Sequence, residues 1–385
     1  MMNILIAQCG GPTPVLNAAL AAAVAAGQAT PEIDRVWGAR LGLEGVVRGD
    51  WADLTGLTPA QLARLSHQPG AALGSGRYRP QLHELSAAAA LLDERAVGGV
   101  ILCGGNGAMT AAHELALAAR SAAHPLHVIG LPKTIDNDLA GIDAAPGYGS
   151  AANFISAGVA DAWLDLYAMR HFDDVAVVEV MGRHAGWLAA ASALARQEPD
   201  EGPHIILVPE RSVDEDALLA EIARLHGKHE VCLIAAAEGV QDRHGRYLAE
   251  KQAAPLDRDA SDQALLGLGA GVAGYLAARI NRALGLRCRR IRPDIMQRSA
   301  RRLVTAADHA LSRRLGEAAV QALAAGRSDV MVTPEPIPLA SIAGQTRTLP
   351  AFYYAGSDFD ITPAGVADLR RRIGAQRETA GALLF

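Results

Sequence analysis

The chain has 385 residues, which is too long for one ordinary hydrophobic core and predicts two domains of typical size. Half of the residues are apolar, so a large core can form without help from disulfides. The net charge is −5 and no long run of Lys or Arg occurs, which argues against a nucleic-acid or anionic-membrane partner.

The cysteines and the start of the chain bear on where the protein works. The four cysteines show neither a CxxC pattern nor metal-ligand spacing, which favours free thiols in a reducing compartment; they are Cys9, Cys103, Cys232 and Cys288. The chain starts without a basic segment or cleavage site, and no apolar stretch of membrane-spanning length lacks charges or prolines. We therefore expect a soluble, cytoplasmic protein with no membrane partner.

Short apolar runs alternate with longer Ala-rich patterns along the chain. The runs have the length of strands buried on both faces, and they cover residues 4–7, 99–103, 126–130, 175–180, 205–208 and 231–236. Helices are predicted over residues 17–27, 108–119 and 185–195. This alternation predicts an α/β fold with mainly parallel sheets. The polar segment 241–258 lacks periodicity and predicts a hairpin or a mobile connection.

Four of the predicted strands end in a tight turn that we expect to lead into a helix. In open α/β sheets, ligands bind outside the carboxyl ends of the strands, so these turns are the expected site. They cover residues 10–14, 104–107, 132–134 and 181–183. The glycines of 104–107 let the backbone approach an anion, although such turns are also common packing devices.

The run Pro-Lys-Thr-Ile-Asp-Asn-Asp at residues 132–138 is the most specific pattern. Phosphoryl transfer needs a base for the acceptor hydroxyl, a divalent cation and positive charge around the moving group. Asp136 can serve as the base, Asp138 can hold Mg²⁺ directly or through water, and Lys133 can neutralise phosphate oxygens. The alternative is an Asx-rich turn that caps the next element.

A third pattern surrounds Arg183, which we expect at the start of a helix. Arginine there opposes the helix dipole, so phosphate binding offers a reason for its presence, and Met181 can pack against a substrate carbon skeleton. The alternative is a surface arginine paired with a carboxylate such as Glu179. We expect His184 and Trp187 to be packing residues.

Six motifs occur in a fixed order over nearly the whole chain. They are Gly10-Gly11-Pro-x-Pro-x-x-Asn17, the Gly-Gly-x-Gly turn at 104–107, Pro-Lys-Thr-Ile-Asp-Asn-Asp at 132–138, Gly-Tyr-Gly-Ser-Ala-Ala at 147–152, Glu-Val-Met-Gly-Arg-His-Ala-Gly-Trp at 179–187, and Gln-Arg-Ser at 297–299. As an ordered set, these motifs resemble the phosphofructokinase family.

The resemblance implies two Rossmann-like domains with the active site in the cleft between them. Residues 1–146 and about 295–347 would form the phosphoryl-donor domain, and residues 147–294 and about 348–385 the acceptor domain. It also implies Mg²⁺-dependent transfer of a phosphoryl group from pyrophosphate or ATP to the 1-hydroxyl of fructose 6-phosphate, in a homodimer or homotetramer.

The resemblance further implies roles for single residues. Asp136 matches the general base, Arg183 the transition-state arginine and Asp138 the metal-linked acid. Thr134, Met181 and Gly182 match substrate contacts, and Glu238 matches the carboxylate that holds the sugar hydroxyls. Arg289 and Arg298 match arginines that bind the acceptor phosphate, and the residue at the place of Arg289 usually reaches in from a neighbouring subunit. Matched donor positions are Gly11 and Arg77, together with the turn residues Gly105, Asn106 and Gly107; Asn106 stands where many ATP-using relatives offer the metal an Asp.

Two positions bear on the choice of donor and point in opposite directions. Gly107 leaves open the space that an Asp commonly obstructs in pyrophosphate users, whereas Lys133 is typical of pyrophosphate users. The Gly-Gly-Pro-Thr start at Gly10 and the segment 147–153 look more like the pyrophosphate branch. We therefore expect pyrophosphate as donor in a reversible reaction, with an ATP-dependent 6-phosphofructokinase as the alternative.

Other departures concern the acceptor and regulation. Asp174 stands where the family usually has a basic residue near the acceptor phosphate, so either the arginines at 287–292 compensate or the acceptor is another sugar phosphate or a polyol. Ala21 and Ala25 replace arginines that bind an allosteric effector in bacterial ATP-dependent relatives, so we expect no such regulation. An NAD- or lipid-type kinase and a non-catalytic sugar-phosphate sensor are the rival classes.

Overall fold

The computed structural model describes residues 1–122, 124–251, 266, 269–356 and 359–373. The chain forms two compact units, each built around a sheet of its own. The first unit comprises Met1–Ser150 and Arg298–Thr346, and the second comprises Ala151–Gln297 and the described part of Arg347–Phe385. The expectation of an α/β fold with mainly parallel sheets is confirmed.

The strands and helices in the described ranges alternate along most of the chain. The strands are β1 (Met2–Gln8), β2 (Ile33–Ala39), β3 (Trp51–Asp53), β4 (Val97–Gly104), β5 (His127–Pro132), β6 (Val175–Val180), β7 (Ile205–Leu207), β8 (Cys232–Ala237), β9 (Cys288–Ile291), β10 (Val330–Met331) and β11 (Ile337–Pro338). The α-helices are α1 (Leu16–Ala29), α2 (Leu43–Arg48), α3 (Pro59–Ser66), α4 (Leu82–Glu94), α5 (Asn106–Ser121), α6 (Tyr148–Ala168), α7 (Trp187–Ala191), α8 (Glu215–His229), α9 (Gly271–Leu284), α10 (Ala306–Ala324) and α11 (Pro363–Ile373).

The first unit has a seven-stranded sheet in the order β11-β10-β5-β4-β1-β2-β3. Among the strands that the structure describes here, the outer pairs β2–β3 and β10–β11 are antiparallel and the other pairs are parallel. Alternate residues of β1 pack into hydrophobic cores on opposite faces of the sheet. Leu5 packs with residues of α4 and α5, and Ile6 packs with residues of α1 and α10. Burial on both faces explains why these strands are continuous apolar runs.

The second unit has an all-parallel sheet in the order β7-β8-β6-β9. Every residue of β6 and β8 is buried, as their apolar sequences predict. The carboxyl ends of these two central strands lie side by side, with Val180 opposite Ala237. Residues that follow either strand therefore start from the same edge of the sheet.

The six predicted strands are all present, but other expectations need correction. The helix predicted over 185–195 is shorter, because α7 ends at Ala191 and a 3₁₀ turn over Ser192–Ala195 follows. The turn after β5 does not lead directly into a helix: α6 begins only at Tyr148, after Gly141 and Gly147 have taken positive φ angles that interrupt helical backbone.

Segment 241–258, for which we expect a hairpin or a mobile connection, contains a hairpin where the chain is described. Gln241 and Tyr247 form an antiparallel bridge, and residues 252–258 lie outside the described part. All four cysteines are free thiols, and three of them are buried. Among the described helices, none combines the length and the hydropathy that a membrane crossing requires.

Candidate active site

Two glycine-rich turns of the first unit follow the neighbouring strands β1 and β4. Gly10 has a φ of +74°, a backbone conformation that suits glycine. Its N–H donates to the carbonyl of Gly76 at 3.1 Å and its carbonyl accepts from Ser75 Oγ at 2.5 Å. These bonds hold Ser75 and Gly76 against the first turn. The next residue, Arg77, is a predicted donor-binding residue and therefore starts beside this turn. A Cβ added at Gly11 would lie 3.0 Å from Nη1 of Arg298, so the arginine packs directly on this turn.

The Lys133 side chain is enclosed beneath the same turn. Only 4% of it is exposed, and Nζ donates to the carbonyl of Gly11 at 2.5 Å. Burial lowers the pKa of the Lys133 ammonium to about 8, since it disfavours the charged form. The cation predicted to meet phosphate oxygens thus lies behind the turn, where it fixes the Gly11 backbone.

The second turn carries the remaining predicted donor residues. Helix α5 begins at Asn106, and the carbonyl of Gly105 accepts the N–H groups of Ala108 and Met109. A Cβ added at Gly107 would meet no described atom within 4 Å. The first turn of α5 is therefore open on the side that Gly107 faces, as the sequence predicts.

Asp136 and Asp138 lie in the loop after β5, and side-chain hydrogen bonds hold that loop in place. The Thr134 hydroxyl accepts the N–H of Asp136 at 3.1 Å and donates to Oδ1 of Asp138 at 3.1 Å. Nδ2 of Asn106 donates to Oδ2 of Asp138 at 2.9 Å. The structure thus brings four predicted site residues together, and both oxygens of the Asp138 carboxylate are oriented by neighbours.

Asn137 lies between the two aspartates and holds the loop through its own backbone and side chain. It has a φ of +52° and is fully buried, and asparagine tolerates this conformation better than most residues. Its side chain donates to the carbonyl of Asp143 at 3.2 Å and accepts the N–H of Ala145 at 2.9 Å. The loop is therefore anchored through its middle residue.

The side chains around Asp138 suit a magnesium ion that takes most of its ligands from phosphate and water. No group of three or more His, Cys, Asp or Glu side chains with metal-binding spacing occurs in the ranges that the structure covers. Magnesium often takes one or two carboxylates from the protein and its other ligands from phosphate and water. Asp138, supported by Asn106, is compatible with a metal that arrives with the donor.

The second unit carries a further turn at the carboxyl end of β6. Gln297 Oε1 accepts the N–H of Met181 at 3.0 Å, and the N–H of Gly239 donates to the carbonyl of Gly182 at 3.2 Å. Glu238 follows the adjacent strand β8, and its N–H donates to the carbonyl of Val180 at 2.9 Å. Backbone hydrogen bonds thus join the two segments that follow β6 and β8 and carry residues expected to bind the acceptor sugar.

The expectation that Arg183 begins a helix is wrong. It lies in this turn, four residues before α7 begins at Trp187, so the argument from the helix dipole does not apply. Trp187 is fully buried, as a packing residue should be, but His184 is exposed. Glu179 accepts the N–H of Ala273 at 2.8 Å, and burial raises the pKa of its carboxyl to about 7.

The aspartates before β6 pair with arginines of the edge strand β9 and its flank. Arg287 binds both oxygens of Asp174, at 3.0 and 3.1 Å, and holds the pKa of that carboxyl below its ordinary value. Arg289 Nε donates to Asp173 at 2.8 Å. The negative charge at position 174 is therefore compensated within the unit, one of the two outcomes that the sequence left open.

Comparison with known proteins identifies the family. The model of the family described as Phosphofructokinase matches residues 3–323. This chain belongs to the phosphofructokinase family. It is therefore a phosphotransferase, with the two-domain fold of that family.

Individual relatives in this family have informative names. The pyrophosphate–fructose 6-phosphate 1-phosphotransferase of Xanthomonas campestris pv. campestris (strain B100) is 37% identical over 378 residues, covering 94% of this chain and 88% of that protein. The sulfofructose kinase of Alkalicoccus urumqiensis is 40% identical over 241 residues, covering 62% and 61%. The solved pyrophosphate-dependent phosphofructokinase of Marinobacter aquaeolei has a TM-score of 0.85 at 30% identity, covering 97% and 92%.

Sequence reasoning about this member of the family missed the roles of two residues that hold the turns. Asp308 is buried and accepts the N–H groups of Gly147 and Ser150, at 2.9 and 3.0 Å. Gln297 belongs to the Gln-Arg-Ser motif at 297–299, but the motif did not indicate that its side chain binds the Met181 N–H. Asp308 gave no signal, because its partners lie more than 150 residues away along the chain.

Proposed function

We propose that this phosphofructokinase-family member transfers a phosphoryl group from pyrophosphate to the 1-hydroxyl of fructose 6-phosphate. The products would be fructose 1,6-bisphosphate and phosphate. The observation that carries the proposal is the hydrogen-bonded group of Thr134, Asp136, Asp138 and Asn106, next to the glycine turns that follow β1 and β4. The name of the Xanthomonas relative supports the same donor and acceptor.

Asp136 is the proposed general base. Its carboxylate takes the proton of the 1-hydroxyl as the hydroxyl oxygen forms a bond to phosphorus, and the bond from phosphorus to the leaving phosphate breaks. Positioned general bases contribute about 10²- to 10⁴-fold to rate. The bond from the Asp136 N–H to Thr134 supports this role, because it fixes the backbone from which the carboxylate extends.

Asp138 and Asn106 would hold Mg²⁺. When bound, the ion would neutralise negative charge on the phosphoryl group in transfer. Thr134 then has a supporting role, since its hydroxyl orients the Asp138 carboxylate. On the acceptor side, Arg183 would stabilise charge in the transition state, with Met181, Gly182, Glu238, Arg289 and Arg298 as the proposed sugar-phosphate contacts.

Lys133 supports pyrophosphate as the donor. Its ammonium lies beneath Gly11, so it adds fixed positive charge to the wall of the donor turn. Pyrophosphate carries high charge on a small molecule and has no nucleoside to contribute binding energy, so such charge matters more for it than for ATP. The open side of Gly107 supports ATP as the second candidate donor.

The pairing of Asp174 with Arg287 supports a phosphorylated acceptor. A free carboxylate would repel a sugar phosphate, but this one is held by the Arg287 guanidinium and backbone N–H. The kinship with a sulfofructose kinase makes a sugar bearing another anionic group the natural second acceptor to try.

A panel of donors and acceptors tests the proposal. Purified protein with Mg²⁺ would receive pyrophosphate or ATP, each with fructose 6-phosphate, sedoheptulose 7-phosphate, 6-deoxy-6-sulfofructose or a free polyol. We expect fructose 1,6-bisphosphate to form from pyrophosphate and fructose 6-phosphate in a reversible reaction. Chelation of the metal should abolish this activity. A clear preference for another acceptor in kcat/KM would contradict the acceptor assignment.

We also propose that the protein is a cytoplasmic homodimer or homotetramer. The support is the family resemblance around Arg289, which implies a residue donated by a neighbouring subunit. Light scattering on the purified protein should give two or four times the mass of the chain. A monomer that retains full activity would contradict this proposal.

A further inference from the structure

The turn at residues 181–186 is closed at both ends by side chains from elsewhere in the second unit. Gln297 accepts the N–H of Met181 at the first residue. Gly239 packs against the middle, where an added Cβ would lie 1.8 Å from the carbonyl oxygen of Arg183. Glu210 accepts the N–H of Gly186 at the last residue. The proposed transition-state arginine therefore extends from a turn whose backbone is held at three points.

Glu210 makes more than one of these contacts with a single carboxylate. Its two oxygens lie 3.0 and 3.1 Å from the N of Gly186, and Oε1 also accepts the N–H of Leu349 at 2.6 Å. The site has no spare room, because a Cβ added at Gly186 would lie 2.8 Å from Oε2 and 2.6 Å from Val208. Burial raises the pKa of the Glu210 carboxyl.

The segment that Glu210 joins to the turn also packs on Trp187, the first residue after the turn. The guanidinium of Arg347 lies 4.4 Å from the ring centroid of Trp187, the residue after Gly186. Tyr353 lies edge-on to the same ring at 5.3 Å. Glu210 thus links two chain segments, 181–187 and 347–353, that are far apart in sequence.

We propose that Glu210 is a positioning residue for Arg183. Its carboxylate fixes the far end of the turn and so sets where the arginine extends, without touching substrate. A carboxylate suits this task because it is an acceptor-only group with several lone-pair sites, and both partners are backbone donors. The inference rests on the proposed role of Arg183, and it assigns to Glu210 a function that neither its sequence context nor a motif indicated.

A double-mutant cycle separates positioning from general support of the fold. We expect Glu210→Leu to lower kcat about 10- to 100-fold with a smaller change in KM, because misplacement of a catalytic group by about 1 Å can cost 10²-fold. Glu210→Gln keeps an oxygen acceptor and should stay within about 5-fold of the wild type. In an Arg183→Ala background, Glu210→Leu should cost less than about 3-fold. Equal losses in both backgrounds would overturn the proposal.

Glu215→Gln is the matched control. Glu215 is a largely buried carboxylate of the same unit, but it accepts hydrogen bonds from Lys251, Tyr275 and Arg279 rather than from the turn. The control should lower thermal stability and leave kcat within about 2-fold. A loss of kcat equal to that of Glu210→Leu would show that damage to any buried carboxylate suffices, and would also overturn the proposal.

Amide hydrogen exchange tests the inference without any assay of activity. In the wild type we expect slow exchange at Gly186 and Leu349, and at least 10-fold faster exchange at both in Glu210→Leu or in the shorter Glu210→Asp. If the wild type were inactive with every donor, the proposed function would fail while this measurement still stood. Unchanged exchange at Gly186 in both variants would reject the positioning role.

Discussion

Asp136 and Asp138 are two residues apart, yet their surroundings suit them to different tasks. The Asp138 carboxylate is held through both oxygens, by Thr134 and Asn106, which suits a metal ligand that must keep its orientation. The backbone of Asp136 is fixed by the Thr134 hydroxyl, which suits a base that must approach a substrate hydroxyl. Asn137 anchors the loop between them.

Replacing Asp136 by Asn removes the proposed base and changes the volume of the side chain little. We expect kcat to fall about 10²- to 10⁴-fold while fructose 6-phosphate still binds, because only proton transfer is lost. Asp143→Asn is the control, since Asp143 is exposed in the same loop and contributes its backbone carbonyl to Asn137. Steady-state kinetics would contradict the base role if Asp136→Asn kept near-normal turnover.

The buried Lys133 should also leave a signature in the pH dependence of stability. Its pKa is about 8 in the fold and ordinarily 10.5, so between these pH values the unfolded chain binds more protons than the folded one. The free energy of unfolding should therefore rise with pH across this window, by up to about 3 kcal/mol from this group.

Lys133→Met provides the comparison for that prediction, because it removes the titrating group. Urea unfolding of both proteins at pH 7.5 and at about pH 10 gives the difference that belongs to Lys133, since all other groups titrate in both. The rise should be larger in the wild type. An equal rise in the two proteins would mean that the Lys133 ammonium is not appreciably desolvated.

At the scale of elements, the carboxyl ends of parallel strands determine where the proposed chemistry sits. Continuous apolar runs such as that of β6 could be predicted from sequence, because burial on both faces leaves no polar position. The edge strand β9, with the sequence Cys-Arg-Arg-Ile, could not, because its exposed positions are charged. Local patterns also predicted the loop after β5 as a site, but gave no means of finding Glu210 or Asp308, whose partners are distant in sequence.

Gly239→Ala tests whether the close packing of two strand ends matters for the reaction. An added Cβ would lie 1.8 Å from the Arg183 carbonyl oxygen, so the backbone of the turn must move. We expect a loss of about 1–3 kcal/mol in the free energy of unfolding and a fall in kcat of about 10²-fold.

Gly158→Ala is the matched control for that substitution. Gly158 is exposed within α6, and an added Cβ there meets no described atom within 4 Å. The change should raise the free energy of unfolding by about 0.5–1 kcal/mol and leave kcat unchanged. If Gly239→Ala behaved like this control, the turn would not be as tightly packed as the structure indicates.

At the scale of the whole molecule, the residues proposed for the reaction are divided between the two units. The first unit carries the base, the metal ligands and the glycine turns, and the second carries Arg183, Glu238 and Arg289. The family fold could be predicted because its motifs are spread in order along nearly the whole chain. Gly107 and Lys133 favour different donors, so the prediction of pyrophosphate rested on the Gly-Gly-Pro-Thr start at Gly10 and on segment 147–153 instead.

Ligand binding should stabilise the whole molecule in a way that reports on the donor. At about 100 times its Kd, a donor that binds only the folded chain adds about 2.7 kcal/mol to the free energy of unfolding. Pyrophosphate with Mg²⁺ should therefore raise Tm by several degrees, and by less in Lys133→Met at the same concentration. An equal shift in wild type and variant would argue against a donor-site role for Lys133.

The central claim is that pyrophosphate is the donor, and the ratio of kcat/KM for pyrophosphate to that for ATP tests it most directly. With saturating fructose 6-phosphate and Mg²⁺, we predict a ratio above about 100 for the wild type, which corresponds to about 2.7 kcal/mol of discrimination. Gly107→Asp should raise the ratio further, because a carboxylate there would obstruct the α-phosphate of ATP. A ratio below 1 in the wild type would contradict the account.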